Sequence, residues 1–278
     1  MKTYTYRDLK KEDISAICTR PKLDFTSVSD VVNPIIDAVK KEGDAAVVRY
    51  TKQFDNIEPK PLVVDPKKQE ITLPEHVKRA IDQTFDNIKT FHEAQLPDAL
   101  QVETMPGVTC RREARPIESV GLYVPGGTAK LPSTALMLAV PAMLCGCKNI
   151  ILATPPNEDG GIEPEISYIA QKTGVSGILV SGGAQAVAAM AYGTESVRKV
   201  DKIFGPGNQY VTAAKMILQN SDALVAMDLP AGPSEVLVIA DESANPVFVA
   251  VDLLSQAENG ADRQVGLVTT QDFPLSEL

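Results

Sequence analysis

From Ser119 onward the chain alternates short, apolar, β-rich runs with helical stretches. VGLYV is followed by PGGTAKLPSTALMLAVPAML, NIILATP by EPEISYIAQKTG, GILVSG by GAQAVAAMAYG and VDKIFG by PGNQYVTAAKMIL, and ALVAMDLP closes the series. EVLVIAD, PVFVAVDLLSQ and QVGLVTT then add a further strand, helix and strand. Strands that follow one another through helices become parallel neighbours, so this rhythm predicts βαβ units and a mostly parallel sheet. No internal repeat, low-complexity tract or flexible linker interrupts it.

The earlier part of the chain is helical in pattern. SVSDVVNPIIDAVKKEG sets Val31, Val32, Ile35, Ile36 and Val39 on one stripe and reaches a C-terminal stop at Gly43. LPEHVKRAIDQTFDNIKTFHEAQL repeats the pattern with Val77, Ile81, Phe85, Ile88 and Phe91. The only two histidines, His76 and His92, flank that second stripe. With no Cys, Asp or second His at ligand spacing, they read as surface residues.

At 278 residues and 44% hydrophobic, the chain has material for one large or two modest soluble domains. A net charge of −9 with no concentrated basic face argues against nucleic acid or an anionic membrane as partner. ALMLAVPAMLCGC is too short and too Pro-broken to span a bilayer, and MKTYTYRDLKKED is too charged for a signal segment. A cytoplasmic location is expected. The four cysteines make no disulfide framework. Cys145 and Cys147, in LCGC, read as small, buried, reduced residues at an apolar helix end, with a nucleophile or metal ligand as the alternative.

QVGLVTT reads as a buried strand and QDFPLSEL as the opening of a helix, with Asp272 a candidate cap and Pro274 near the first turn. A parallel strand needs a covering helix, and the chain stops at Leu278 as that helix would begin. The expectation is a piece of a larger α/β protein.

Three strand-to-helix junctions carry glycines: VPGG at 124–127, SGGAQ at 181–185 and FGPGN at 204–208. In a parallel α/β sheet such junctions line the carboxyl edge, where helix N-termini offer free N–H groups to anionic ligands and a Cβ would block close approach. NAD fits such an edge. The usual dinucleotide fingerprint is absent, because Tyr210 stands where a third Gly would follow Gly205 and Gly207, and a purely tight-turn role for the glycines stays open. Each junction also presents a chemical group: Tyr123 to stack on or bond a cofactor ring, Gln185 to bond it, Asn208 to read a ribose or phosphate. In DLPAGPSEVLVIAD, Ser234 is held just before a strand and has no His base, which makes it a substrate hydrogen-bond donor rather than a nucleophile. Gln256 and Asn259 in SQAENGADRQ lie three apart, a spacing that puts two side chains on one face of a helix end.

VGLYVPGG, SGGAQAVAAMAYGT, KIFGPGNQYV, DLPAGPSEVLVIAD and LLSQAENGADRQ, in this order and spacing, resemble the histidinol dehydrogenase family, and the similarity runs through essentially the whole chain. The resemblance implies NAD-dependent oxidation of L-histidinol through L-histidinal to L-histidine, with two NAD and one zinc ion per site in a homodimer whose site draws on both subunits. It implies NAD contacts at Tyr123, Gln185 and Asn208 and substrate contacts at Ser234, Gln256 and Asn259. Gln256 matches a zinc ligand, and Asn259 stands where the family carries a second zinc ligand, a histidine. Zinc favours imidazole or thiolate, and a neutral amide oxygen is a poor substitute. The family's remaining ligands and the Glu–His pair for proton transfer lie beyond Leu278, so no catalytic residue is assigned within this chain and its turnover is expected to collapse. Alternatives are a non-catalytic relative that binds a nucleotide or a partner, and a thiol-dependent aldehyde dehydrogenase-like enzyme using Cys145 or Cys147.

The implied architecture is α/β: two incomplete Rossmann-like parallel-sheet domains of aldehyde dehydrogenase-like arrangement, with a helical N-terminal segment. Residues 1–122 with 234–278 form the outer domain and 123–233 the inserted NAD-binding domain. Exposed apolar surface on the incomplete outer domain implies low stability or aggregation of the isolated chain.

Overall fold

The computed structural model describes residues 2–19, 25–126, 131–230, 235–257 and 264–277. Helices α1 (Lys11–Ile17), α2 (Phe25–Glu42) and α3 (Asp44–Asp55) come first, followed by strand β1 (Val63–Val64), helix α4 (Glu75–Glu93) and the hairpin β2 (Leu100–Met105) and β3 (Val108–Arg112). The expected alternation follows: β4 (Ser119–Tyr123), α5 (Pro132–Leu144), β5 (Asn149–Thr154), α6 (Pro164–Thr173), β6 (Gly177–Val180), α7 (Gly183–Tyr192), β7 (Lys202–Phe204), α8 (Gln209–Gln219) and β8 (Ala226–Met227). β9 (Glu235–Ala240), α9 (Pro246–Ala257) and β10 (Gln264–Thr269) complete the series. The chain divides into two compact units, Phe25–Ala231 and Met1–Asp24 with Gly232–Leu278.

The larger unit holds a six-stranded sheet in the order β1-β6-β5-β4-β7-β8. All neighbours pair in parallel except β1, which runs antiparallel along β6. The chain winds outward from β4 through β5 to β6, then crosses back to β7 and β8 on the other side of β4. This is the doubly wound order, and its switch point lies between β4 and β7. Every residue of β4, β5 and β6 is buried, which is why they read as continuous apolar runs. Successive side chains serve opposite faces. Ile150 and Leu152 join Leu136 and Ile169 in the core on one face, while Ile151 and Ala153 join Val187 and Val211 on the other.

α2 belongs to this unit. Its residues Val28, Val32, Ile35, Ile36 and Val39 are buried in the same core as α7 and α8. The sequence reading divides the chain at 122/123, whereas here residues 25–122 are grouped with the glycine-rich series. Val31, expected on the buried stripe, is 51% exposed and Val28 takes its place, because the packing runs along the 28–32–35–39 line. Gly43 stops α2 as expected, its N–H donating to the Val39 carbonyl at 2.9 Å. The hairpin β2–β3 was not expected. Its signal is LQVETM and VTCRR flanking Pro106-Gly107, where Gly107 takes φ +80° and donates its N–H to the Glu103 carboxylate at 2.8 Å.

The smaller unit is one βαβ crossover, with β9 and β10 paired in parallel. Gln264 of β10 donates to the Ile17 carbonyl at the end of α1, at 2.6 Å. One face of the strand pair, with Val238 and Leu267, packs with Val249, Leu253 and Phe273. On the other face, Leu237, Ile239 and Val268 are exposed. Leu275–Glu277 forms a 3-10 turn where the opening of a helix was expected.

Candidate functional site

The loops that leave β4, β5 and β6 are drawn together around Pro155. A Cβ on Gly126 would lie 2.8 Å from the Pro155 ring and one on Gly182 would lie 2.5 Å from it, so the backbones of all three loops approach as closely as glycine permits. Tyr123, at the end of β4, is buried, and its hydroxyl accepts the N–H of Gly183 in the first turn of α7 at 2.9 Å. Burial pushes its phenol up to about 12, with the charge of Asp55 adding to the effect. At physiological pH the hydroxyl is neutral and keeps its own proton to donate.

Gln185 lies two residues on, in the same first turn of α7, and is 1% exposed. Its Oε1 is buried and accepts no hydrogen bond among the described residues. Such an orphan acceptor costs on the order of 1–3 kcal/mol unless a ligand or water donates to it. The atom sits against Gly183, where a Cβ would come within 2.6 Å of it. The free acceptor of Gln185 and the donor of Tyr123 therefore meet at the same turn of α7.

Across the switch point, the loop after β7 is fixed by an ion pair. Lys215 of α8, only 4% exposed, bonds the Asp228 carboxylate and donates to the Gly205 carbonyl at 2.8 Å. Asp228 accepts the Gly205 N–H at 2.7 Å, so both backbone groups of one glycine are held by the pair. Gly205 adopts φ +126°, and a Cβ there would stand 2.1 Å from the Tyr123 carbonyl oxygen. The clamp therefore seats the β7 loop directly against the end of β4. Asn208, at the end of this loop, is the N-cap of α8 and accepts from the N–H groups of Tyr210 at 3.0 Å and Val211 at 3.1 Å. Its Oδ1 is committed to the helix, which leaves its Nδ2 as a donor for a ligand.

A cleft of about 580 Å³ opens beside Tyr123 at the carboxyl ends of β4 and β5. Pro125, Gly126, Pro155 and Pro156 wall it, and Asp55, the last residue of α3, and Ile57, just after it, close its side.

Gln256 is half-buried in the last turn of α9, in the smaller unit. Ser234 and Asn259 lie outside the described residues, as does Gly127 of VPGG. Among the described residues, no three His, Cys, Asp or Glu side chains group to hold a metal ion. His76 is exposed, and His92 bonds Gln95 at 2.8 Å. One half-buried amide does not fit a resident zinc ion, whose chemistry asks for imidazole or thiolate.

The cysteine pair departs from expectation in part. Cys145 is exposed rather than buried, because it is the C-cap of α5 and the chain then turns at Gly146 with φ +79°. Cys147 is half-buried, and burial followed by the neighbouring Cys145 raises its thiol pKa. A thiol at a helix C-terminus with a raised pKa is not an activated nucleophile.

Three site residues escaped the sequence reading: Asp55, Lys215 and Asp228. Lys215 had a signal, a lone cation inside the apolar helix YVTAAKMIL shortly before an aspartate. Asp55 had none, since it ends an early helix far upstream of the strands it joins.

A doubly wound parallel sheet with close-packed loops and an orphaned acceptor at its carboxyl edge defines a Rossmann-like α/β protein with a ligand crevice at the switch point. The family model for histidinol dehydrogenase matches residues 18–277, and the chain belongs to the histidinol dehydrogenase family, oxidoreductases of histidine biosynthesis. It is 58% identical over 275 residues to a chloroplastic histidinol dehydrogenase of Arabidopsis thaliana, covering 98% of this chain and 59% of that relative. It is 57% identical over 260 residues to a histidine biosynthesis trifunctional protein of Komagataella pastoris, covering 92% of this chain and 31% of that relative. The crystal structure of histidinol dehydrogenase from Elizabethkingia anophelis superposes with a TM-score of 0.86 at 48% identity, covering 97% of this chain and 62% of that one. The chain thus spans about three fifths of the length of its plant relative.

Proposed function

We propose that this chain supplies the NAD-binding crevice of a histidinol dehydrogenase, an enzyme that takes L-histidinol through L-histidinal to L-histidine. The observation that carries this reading is the buried, undonated Oε1 of Gln185 beside the neutral Tyr123 hydroxyl at the carboxyl edge. A dinucleotide offers hydroxyl and amide donors to the first and acceptors to the second. Asn208 adds its Nδ2 from the far side of the switch point, and the Lys215–Asp228 clamp holds the loop that carries it. NAD, when bound, accepts the hydride that the alcohol and then the aldehyde give up. The part played by this chain is to orient that acceptor and exclude water from one side of it.

Removing the hydroxyl proton needs a base at the reacting carbon. The only two histidines of the chain, His76 and His92, lie on α4 and border no part of the cleft beside Tyr123. The base, the zinc ion and part of the substrate contact are therefore assigned to residues other than these, with Ser234, Gln256 and Asn259 as this chain's own contribution to the substrate side. The whole enzyme is read as a cytoplasmic homodimer, a state that sedimentation of the complete protein tests.

The test is NADH formation when the purified chain is mixed with L-histidinol, NAD and zinc, beside an active full-length relative. This reading expects no NADH from the chain alone. Sustained NADH production would show that residues of this chain perform the proton transfer.

A further inference from the structure

Asp55 is a half-buried carboxylate with no hydrogen bond or ion pair among the described residues. It ends α3, and Asn56, left-handed at φ +58°, turns the chain so that Ile57 follows Asp55 onto the wall of the cleft beside Tyr123. Burial pushes its carboxyl above the usual carboxylate range, and its charge reaches the Tyr123 phenol. The other half-buried aspartates of this unit are engaged: Asp44 with Thr194 and Ser196, Asp65 with the Lys67 N–H, Asp82 with Lys172 and Tyr168, Asp228 with Lys215 and the Gly205 N–H. A carboxylate drawn partly out of water without a partner is costly to keep, and it invites a ligand that donates two hydrogen bonds.

The position narrows the ligand. In doubly wound sheets, an acidic side chain at the end of the strand next to the first one binds the hydroxyls of a nucleotide ribose. Here that strand is β5, and it runs into Thr154-Pro155-Pro156-Asn157 with no acid at its end. Asp55 reaches the same wall of the cleft from another helix. The surrounding Pro125, Pro155, Pro156 and Ile57 offer flat apolar walls for a base.

Building on the NAD reading above, we propose that Asp55 binds the adenosine-side ribose diol of the dinucleotide in the cleft between the β4 and β5 loops, and so excludes a 2′-phosphate. A phosphate on that ribose would replace a donor by a dianion facing a carboxylate. Glu158, exposed on the same rim, and the half-buried Glu163, which also lines the cleft, are the rival acids.

The experiment is calorimetric titration of NAD and NADP into the full chain and its Asp55→Ala, Asp55→Asn, Glu158→Gln and Gln185→Leu variants, with circular dichroism melts to confirm folding. The expected result is NAD binding about tenfold weaker in Asp55→Ala, a preference for NAD over NADP that shrinks in both Asp55 variants, and no change in Glu158→Gln. If Gln185→Leu weakens NAD while Asp55→Ala leaves both the affinity and the NADP gap intact, the Asp55 proposal falls and the NAD reading stands. The same holds if the preference moves with Glu158→Gln instead. Failure of the wild-type chain to bind NAD would overturn both.

Discussion

Lys215 donates to the carbonyl of Gly205 at 2.8 Å while pairing with Asp228, whose other oxygen takes the N–H of the same glycine at 2.7 Å. A backbone held at both ends by one buried ion pair has no freedom to relax when either partner is lost. Lys215→Met leaves a carboxylate and a carbonyl without their donor, and should cost about 3 kcal/mol in urea denaturation. Asp228→Asn should cost a similar amount. In a double-mutant cycle the pair should lose at least 1 kcal/mol less than the two single losses added together, as for groups in one network. Strict additivity would show that the two side chains do not act as a unit.

Gly205→Ala tests the contact between the β4 and β7 loops. The new Cβ would press on the Tyr123 carbonyl from a backbone at φ +126°, so the loop has to move. We expect about 3 kcal/mol of lost stability, from backbone strain and overpacking together. A melting temperature equal to that of the wild type would contradict the described approach of the two strands.

The Tyr123 phenol gives a pH signature. Its folded pKa lies at about 12 against an ordinary 10.0, so on raising the pH the unfolded chain loses this proton first. Between these values the unfolded state binds fewer protons and stability falls with pH, by roughly 2–3 kcal/mol for this group across the window. The contribution is fully present below pH 10. Tyr168 is also raised to about 12, so the diagnostic is the difference between wild type and Tyr123→Phe, which should lose only part of the alkaline slope. Identical slopes in denaturation at pH 9 to 12 would place Tyr123 in water.

Leu237 and Ile239 on β9 and Val268 on β10 form a bare apolar face, with Ile239 directly opposite Val268. Parallel strands are ordinarily covered on both sides, and an uncovered face of this kind drives association. The double variant Leu237→Thr/Ile239→Lys should reduce aggregation in light scattering while changing unfolding free energy by no more than about 0.5 kcal/mol. Unchanged aggregation would move the sticky surface elsewhere, and the exposed Phe248 and Leu254 of α9 are then the next to vary.

Much of the fold was legible because parallel strands are buried on both faces. NIILAT, GILV and SVGLY are apolar without interruption, and Gly or Pro marks their ends, so their number and order followed from the sequence alone. The helical stripes were legible except at one member of each, since Val31 of α2 and Phe91 of α4 are 51% and 66% exposed. Val31 fell on the exposed side because which edge of a wide stripe is covered depends on the neighbouring helix, which the sequence does not state. The hairpin at 100–112 leaves little trace in the sequence, since every residue of its strands is exposed and its alternation is weak. Within the site, Tyr123, Gln185 and Asn208 stand next to glycines and strand ends, which local sequence can point to. Asp55 becomes part of the cleft only through tertiary packing of α3, and no local pattern announces that.

Titration of NAD into the purified wild-type chain, with Gln185→Leu beside it, tests the central claim most directly. The account predicts saturable one-site binding to the wild type and a loss of about tenfold in the variant, since leucine fills the space and cannot accept the ligand's hydrogen bond. A folded wild-type chain that takes up no NAD, or a Gln185→Leu variant that binds it equally well, would contradict it.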